Sequence, residues 1–233
     1  ALIMTHGAEV PNTAGLMGGM PGATVVQRWA AAGAHDGVLD PGAAFETLGP
    51  KPGLRPMRRG DVFAVSWQGG GGWGDPLLRE AAAVRRDFAR GAISAAVMRD
   101  IYGVAESEAE TEALRARLRE ARIGGVQPAR PVGGTVVLPL GPAMDLVRAG
   151  ETLQVVTKAG AVLAAGHTRW REGAVGHRLA RGALPHRVLH EELAMTAWYC
   201  PLAGTLLALD IHRADEAPAH DIDLDLAALG RVA

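Results

Sequence analysis

The chain has very little cysteine, few aromatic residues and no excess of charge of either sign. Cys200 is the single cysteine among 233 residues, so no disulfide can form within them, and a reducing, cytoplasmic setting is the expectation. A formal net charge of −1 and a pI of about 6.8 give no basic footprint for nucleic acid or for an anionic membrane surface. A protein partner or a small substrate is favoured instead.

Long hydrophobic runs are also missing. The longest apolar runs, such as residues 134–140 and 202–209, fall far short of the roughly 20 residues that span a bilayer. The opening ALIMTHGAEV has neither the basic region nor the small-residue cleavage site of a signal peptide. It already resembles the interior of a strand or loop, so we expect the chain to be the tail of a longer polypeptide.

Glycine and proline are plentiful, with 31 and 14 residues, which predicts many turns and loops in a globular protein. Residues 1–60 carry six prolines and sustain no helical period, so short strands and loops are expected there, with residues 25–32 a strand or a short helical turn. Alternating residues 62–67 (VFAVSW) predict a strand. That strand leads directly into a run of glycines.

A helical region is predicted after the glycine run. Apolar residues recur every three or four positions over 76–89, with Asp75 as N-cap and Pro76 at the first helical position. Ser94 can cap a second helix that Gly103 ends, and a charged third helix over residues 107–123 has only a narrow apolar stripe, typical of a surface helix.

The composition changes again at residues 125–134, which are rich in glycine and proline and have the character of a linker. We therefore predict a first region over residues 1–124, a linker over 125–134 and a small β-rich module over 135–233. The expected fold class is α+β, with loop-rich β segments, then a short helical region, then the β-rich module. The apolar runs that predict strands in this module are residues 136–140, 152–156, 161–165, 198–200 and 205–211.

The stretch QGGGGWGDPL, residues 68–77, joins the predicted strand to the first predicted helix. No Gly-Lys-Ser/Thr follows it, so it is not a Walker A loop, and it is not a good dinucleotide fingerprint. Anion binding at the following helix N-terminus is one interpretation. The favoured one is structural: glycine permits positive φ and close backbone approach, Trp73 packs into the gap, and Asp75 and Pro76 start the helix.

A second glycine-rich loop spans residues 11–22, shortly after His6. His6 is the weak candidate for a catalytic role, because a lone histidine is more often structural and a metal site needs three or four donors, of which only His35 and Asp36 are near in sequence. Five of the later histidines are weighed with Cys200 as metal donors, without an H-x-x-H or C-x-x-C pair among them; they are His167, His177, His186, His190 and His212. With no serine nucleophile elbow and no paired carboxylates, these residues alone do not identify an enzyme.

Two long blocks resemble the C-terminal part of the hydantoinase B family, which includes hydantoinase B subunits, part of the 5-oxoprolinases and the large subunits of acetone and acetophenone carboxylases. They are THGAEVPNTAGLMGGMPGA and the block that begins LRPMRRGDVFAVSWQGGGGWGDPL. Residues 60–104 carry the specific features, namely GD, GGGGWGDP, the V-x-x-D step at Val84, the G-x-[IV]-S turn at Gly91 and YGV at Tyr102. The resemblance covers about the first 105 residues.

The tail is similar to the small zinc-bearing gamma subunit of acetone carboxylase, through AGH at residues 165–167, Trp170 and YCPLAGTLL at residues 199–207. The positions that match the four zinc cysteines of that subunit are Val162, Ala165, Cys200 and Ala203. Three of the four sulfurs are missing, so we predict that the module folds through packing and binds no metal.

The resemblance implies a portion of a subunit of an ATP-dependent multi-subunit ketone carboxylase, or alternatively of an ATP-dependent hydantoinase or 5-oxoprolinase; a non-catalytic assembly scaffold is the third possibility. ATP, magnesium and a catalytic divalent metal would then be bound elsewhere in the complex. The expected partners are the N-terminal portion of the large subunit and an ATP-binding hydantoinase A-type subunit, and the chain alone would be inactive. The residues expected to shape a substrate channel or a subunit contact are Gly18, Gly19, Gly22, Gly70, Gly71, Gly72, Trp73 and Asp75.

Overall fold

The computed structural model describes residues 2–5, 7, 11, 13–34, 44–165, 169–184 and 189–218. The fold is α+β and rich in strands, as the sequence predicts. The weak catalytic candidate His6 lies outside the described residues, as do four other residues weighed above as metal donors, His35, Asp36, His167 and His186. No helix in the described part of the chain is long and apolar enough to cross a membrane.

The N-terminal region forms two small antiparallel sheets. One pairs strand β1 with β4, and the other places β2 between β3 and β5. The alternating segment 62–67 is a strand as predicted, and the ambiguous segment 25–32 also forms one. The strands are β1 (Leu2–Thr5), β2 (Val26–Ala30), β3 (Glu46–Leu48), β4 (Gly53–Pro56) and β5 (Val62–Ser66).

The first predicted helix, residues 76–89, is in fact two pieces. A 3₁₀ turn, Pro76–Leu78, is followed by helix α1, Ala81–Ala89, with extended backbone at Arg79 and Glu80 between them. The interruption has a tertiary cause, because the carbonyl oxygen of Arg79 accepts a hydrogen bond of 2.6 Å from Arg115 instead of one from the next helical turn. That oxygen is thus satisfied without a continuous helix.

The next two helical predictions have different outcomes. Ser94 does cap its segment, since its Oγ accepts the Val97 N–H at 3.2 Å, but the segment is a π-helical turn, Val97–Ile101. Helix α2, Glu108–Ile123, agrees with the third predicted helix. Ser107 and Glu110 form its capping box, and only Thr111 is buried, as expected for a surface helix.

The C-terminal part is built from two antiparallel sheets, in the orders β6-β7-β8-β9 and β10-β11-β12. Their inner faces share an apolar core that includes Leu146, Val155, Leu163, Trp170 and Leu207. The β-rich character predicted for this part is therefore confirmed. Its strands are β6 (Thr135–Pro139), β7 (Met144–Ala149), β8 (Thr152–Thr157), β9 (Val162–Ala165), β10 (Val175–Arg178), β11 (Leu193–Tyr199) and β12 (Leu206–Arg213).

The N-terminal and C-terminal parts are in direct contact. Tyr199 and Leu206 form a buried cluster against which Met20 of the N-terminal region and Ile123 of α2 pack. The backbone of Gly204 also lies so close to α2 that a Cβ there would be 2.5 Å from a carbonyl oxygen. The division into residues 1–124 and 135–233 stays a prediction, and the two parts share apolar contacts across it.

Candidate functional site

The two glycine-rich segments lie side by side and are joined through their backbones. We call residues 13–22 and 68–74 the paired glycine loops. Leu16 donates its N–H to the Gly72 carbonyl at 2.9 Å, and Gly74 donates to the Leu16 carbonyl at 2.9 Å. These bonds form a short parallel bridge, so the two glycine-rich segments are one structural unit although Leu16 and Gly72 are 56 positions apart.

The close approach of the paired glycine loops requires glycine at specific positions. A Cβ on Gly71 would lie 2.0 Å from the Ala14 carbonyl oxygen, and one on Gly19 would lie 2.0 Å from the Gly72 carbonyl oxygen. A real Cβ atom does not come this close to a carbonyl oxygen, so no other residue fits without a backbone shift. Gly70, in contrast, has open space where its Cβ would be.

Two further predicted loop glycines, Gly18 and Gly22, are required for the same reason, whereas a Cβ on Gly72 would come no nearer than 3.2 Å to another atom. Gly18 has φ +87°, and a Cβ there would lie 2.1 Å from the Leu206 carbonyl oxygen, so this glycine is needed both for its conformation and for contact with β12. A Cβ on Gly22 would lie 2.1 Å from the Gly69 carbonyl oxygen. Only glycine lets these backbones approach each other.

The expectation that Trp73 fills the gap between the loops is wrong, because its side chain is 69% exposed. The physical reason is that hydrogen-bonded backbone already occupies the space between the paired glycine loops, which leaves no room for an indole ring. Trp73 instead stands on the surface beside its bridge partner Leu16, which is exposed as well.

Asp75 is the N-cap that the sequence predicts, and it also links three parts of the chain. Its buried carboxylate accepts the Leu77 N–H at 3.0 Å, which starts the 3₁₀ turn. The same carboxylate accepts two hydrogen bonds from Arg122 of α2, at 2.6 and 3.1 Å, and the backbone N–H of Leu206 at 2.9 Å. One carboxylate therefore joins the glycine loop, α2 and β12.

Arg122 is the principal residue that the sequence analysis missed. Its guanidinium lies 5.2 Å over the Tyr199 ring and also donates to the Gly204 carbonyl at 3.0 Å. Burial raises the pKa of Tyr199, an effect that the nearby Arg122 opposes and Asp75 reinforces. No local pattern could have revealed the ion pair, because Arg122 and Asp75 are 47 positions apart.

A cavity of about 570 Å³ opens beside the second glycine loop. Its charged lining residues are Asp75, which is bound as described, and Arg79, whose guanidinium pairs with Asp87 and lies 5.2 Å over the Tyr102 ring. Most of the lining is apolar or aromatic. The lining includes Met20, Trp73, Leu78, Val97, Ile101 and Tyr102.

The charged groups at this cavity are therefore committed to structural pairs. Burial acts to lower the pKa of Arg79, but hydrogen bonds to Asp87 and Tyr102 outweigh it and raise the pKa. The guanidinium stays protonated, and each carboxylate oxygen of Asp75 already accepts two hydrogen bonds. The cavity therefore offers a ligand a defined shape and an apolar surface.

The four positions aligned with zinc ligands lie in and around the C-terminal core. Cys200 is buried, and its thiol donates to Thr157 Oγ1 at 3.3 Å, while the Ala203 N–H donates to Cys200 Sγ at 3.4 Å. Ala203 packs against the core, whereas Val162 and Ala165 lie on β9, with Val162 exposed. Among the described residues, no three His, Cys, Asp or Glu side chains are grouped to hold a metal ion.

A buried ion pair in the C-terminal part is also structural. Arg171, almost fully buried, donates to both carboxylate oxygens of Asp210 at 2.9 and 3.0 Å, and Trp198 Nε1 donates to the same carboxylate at 2.7 Å.

Comparison of the chain with protein-family models and with curated proteins gives no match. The geometry of the paired glycine loops and of the adjoining cavity is thus the basis on which a function can be argued.

Proposed function

We propose that this chain is part of a subunit of an ATP-dependent multi-subunit ketone carboxylase, in which the paired glycine loops form a contact with the rest of the assembly. The supporting observation is the exposed pair Leu16 and Trp73, held on backbone that is hydrogen-bonded and too close-packed for side chains. A rigidly held exposed tryptophan next to a leucine is typical of a protein interface.

The assignment to a carboxylase depends on the sequence resemblance. The motifs that carry this resemblance lie in the segment that forms the second glycine loop, the 3₁₀ turn and part of the cavity lining. They are GD, GGGGWGDP and YGV. The similarity of the tail to a carboxylase gamma subunit favours the carboxylase over the hydantoinase or 5-oxoprolinase alternative. ATP, magnesium and the catalytic metal would be bound by the other chains, namely the N-terminal portion of the large subunit and a hydantoinase A-type subunit, in the cytoplasm.

A non-catalytic scaffold role is the second candidate, and one observation favours it. Asp75 and Arg79, the charged residues that line the cavity, are both bound to other side chains of this protein. Charged side chains in such pairs stabilise the surface around the cavity and are not available as general acids or bases. On this alternative the chain would still assemble with the same partners.

The test is reconstitution of the complex. The chain would be co-produced with a hydantoinase A-type subunit and an N-terminal hydantoinase B-type portion, and ATP consumption would be followed with a ketone plus bicarbonate, or with a hydantoin or 5-oxoproline. Ketone- and bicarbonate-dependent consumption supports the carboxylase, and consumption with the cyclic amides supports the alternative. If omission of this chain prevents assembly, while the partners mixed at high concentration keep their full activity without it, the chain is a scaffold.

A matched pair of variants tests the interface separately. Trp73→Asp should weaken assembly strongly. Trp67 is exposed too, at 60%, but it does not line the cavity, so Trp67→Asp should leave assembly unchanged. Native mass spectrometry gives the stoichiometry. A stable monomer of 24.3 kDa that joins neither partner would contradict the complex-subunit proposal.

A further inference from the structure

The cavity beside Trp73 has the size and lining of a small-molecule site. Its volume of about 570 Å³ lies within the range of roughly 300–1,000 Å³ that is typical of ligand pockets. We infer that it binds a small, neutral aromatic molecule of one or two rings. This inference shares Trp73 with the proposed subunit contact, but it does not depend on the carboxylase assignment and is tested on this chain alone.

The walls of the cavity are fixed before any ligand arrives. One wall is the glycine loop, which the backbone bonds from Gly72 to Met20 at 2.8 Å and from Gly74 to Leu16 at 2.9 Å hold in place. The lining also includes Tyr102, whose carbonyl oxygen accepts a hydrogen bond of 3.2 Å from Arg115. A preformed site loses little conformational entropy on binding.

The lining favours an apolar and flat ligand. Trp73 and Leu78 both line the cavity and are 69% and 48% exposed, so a ligand seated there would remove apolar surface from water. Trp73 and Tyr102 contribute aromatic rings, which pack favourably with another ring in offset or edge-to-face geometry. The aliphatic side chains of Val97 and Ile101 complete this surface.

The charges around the cavity favour a neutral ligand over an ionic one. Asp75 is bound by Arg122 and by two backbone N–H groups, and Arg79 is paired with Asp87. An anionic ligand would have to compete with Asp87 for Arg79, and a cationic ligand would find the Asp75 carboxylate already bound. A charged ligand would lose hydration without gaining a counter-charge.

The experiment uses three probes with one ring system, namely 2-naphthol (neutral), 2-naphthoate (anionic) and 2-naphthylmethylammonium (cationic), at neutral pH. The ¹⁵N-labelled chain has five tryptophans, and Trp73→Phe identifies the Trp73 indole resonance. We expect 2-naphthol to shift that resonance saturably at concentrations up to about 1 mM, with the two ionic probes at least about tenfold weaker.

Two matched substitutions place the site. Leu78→Lys introduces a charge into the cavity and should weaken 2-naphthol binding at least about tenfold. Leu54→Lys changes a similarly exposed leucine on β4, outside the cavity, and should leave the affinity unchanged. Circular dichroism of each variant establishes that it is folded.

Several results would overturn the inference. They are no shift of the Trp73 resonance with 2-naphthol, equal shifts at Trp67 and Trp73, equal affinity for an ionic probe, or unchanged binding by folded Leu78→Lys protein. None of these results bears on assembly with carboxylase-type partners, so the two proposals fail separately.

Discussion

Gly71 occupies a position at which the backbone of the first glycine loop leaves no room for a side chain. A Cβ there would meet the Ala14 carbonyl oxygen at 2.0 Å, so Gly71→Ala must separate the paired loops. We expect a loss of about 1–3 kcal/mol in the free energy of unfolding, measured by urea denaturation, with Gly71→Val costing more.

Gly70→Ala is the control for this prediction. It changes the neighbouring glycine in the same way, but open space surrounds its Cβ position and its φ is not in the left-handed region. Its unfolding free energy should stay close to that of the unmodified chain or rise slightly. If both alanine variants were equally stable, the packing explanation for Gly71 would be wrong.

Tyr199 provides a pH-dependent prediction at the residue scale. Because burial raises its pKa above the ordinary 10.0, the unfolded chain ionises this phenol first as the pH rises. The stabilising contribution is therefore complete below pH 10 and decreases as the pH rises through the folded-state pKa. The unfolding free energy, measured by denaturation at several pH values between 8 and 11, should fall less steeply with pH for Tyr199→Phe than for the unmodified chain. Identical slopes would contradict the assignment.

Helix α2 depends on a local cap, and this makes a prediction at the scale of the element. Ser107 Oγ accepts the Glu110 N–H at 3.2 Å, while the Glu110 carboxylate accepts the Ser107 N–H at 3.1 Å. Ser107→Ala should reduce the unfolding free energy by about 1 kcal/mol. Glu112→Ala, one turn further on and exposed, is the control and should have little effect in the same denaturation assay.

Some helices are determined by their own residues, and others are changed by contacts with distant parts of the chain. Helix α2 was predicted from its charged residues and narrow apolar stripe, and the capping box and Gly124 that the structure shows at its ends also act within a few residues. The helix proposed for residues 76–89 was divided, because the Arg79 carbonyl accepts a hydrogen bond from Arg115, which is 36 positions away in sequence. Tertiary contacts of this kind override local helical propensity.

At the scale of the whole molecule, Asp75 connects regions that a linker was expected to separate. Since its carboxylate binds α2 and β12 together, we expect both parts to unfold in one cooperative step. The indole NMR resonances of Trp67 and Trp198 should disappear at the same urea concentration. Asp75→Asn should cost about 3–5 kcal/mol, because it leaves Arg122 buried without its counter-charge, and should separate the two midpoints.

Asp87→Asn is the matched control for this experiment. It also removes a carboxylate that pairs with an arginine, but its pair with Arg79 is partly exposed and lies within the helical region. The Trp67 and Trp198 midpoints should stay together in this variant, with only a small loss of stability. Different midpoints in the unmodified chain would instead support two independent domains divided at residues 125–134.

The candidate site was predicted in part. The glycines and the Asp75 cap could be identified, because glycine runs and Asp-Pro steps restrict the backbone locally. The exposure of Trp73 and the pairing of Asp75 with Arg122 could not, since they depend on which distant segment occupies the adjacent space.

The sequence by itself therefore determined the α+β class, helix α2 and the turns at which glycine is required, because these follow from local conformational preferences and composition. Tertiary structure alone decided that the paired glycine loops lie together, that Arg122 joins Asp75, and that a cavity opens beside Trp73. Interactions between residues far apart in the chain arise only when folding brings their backbones and charges within contact distance.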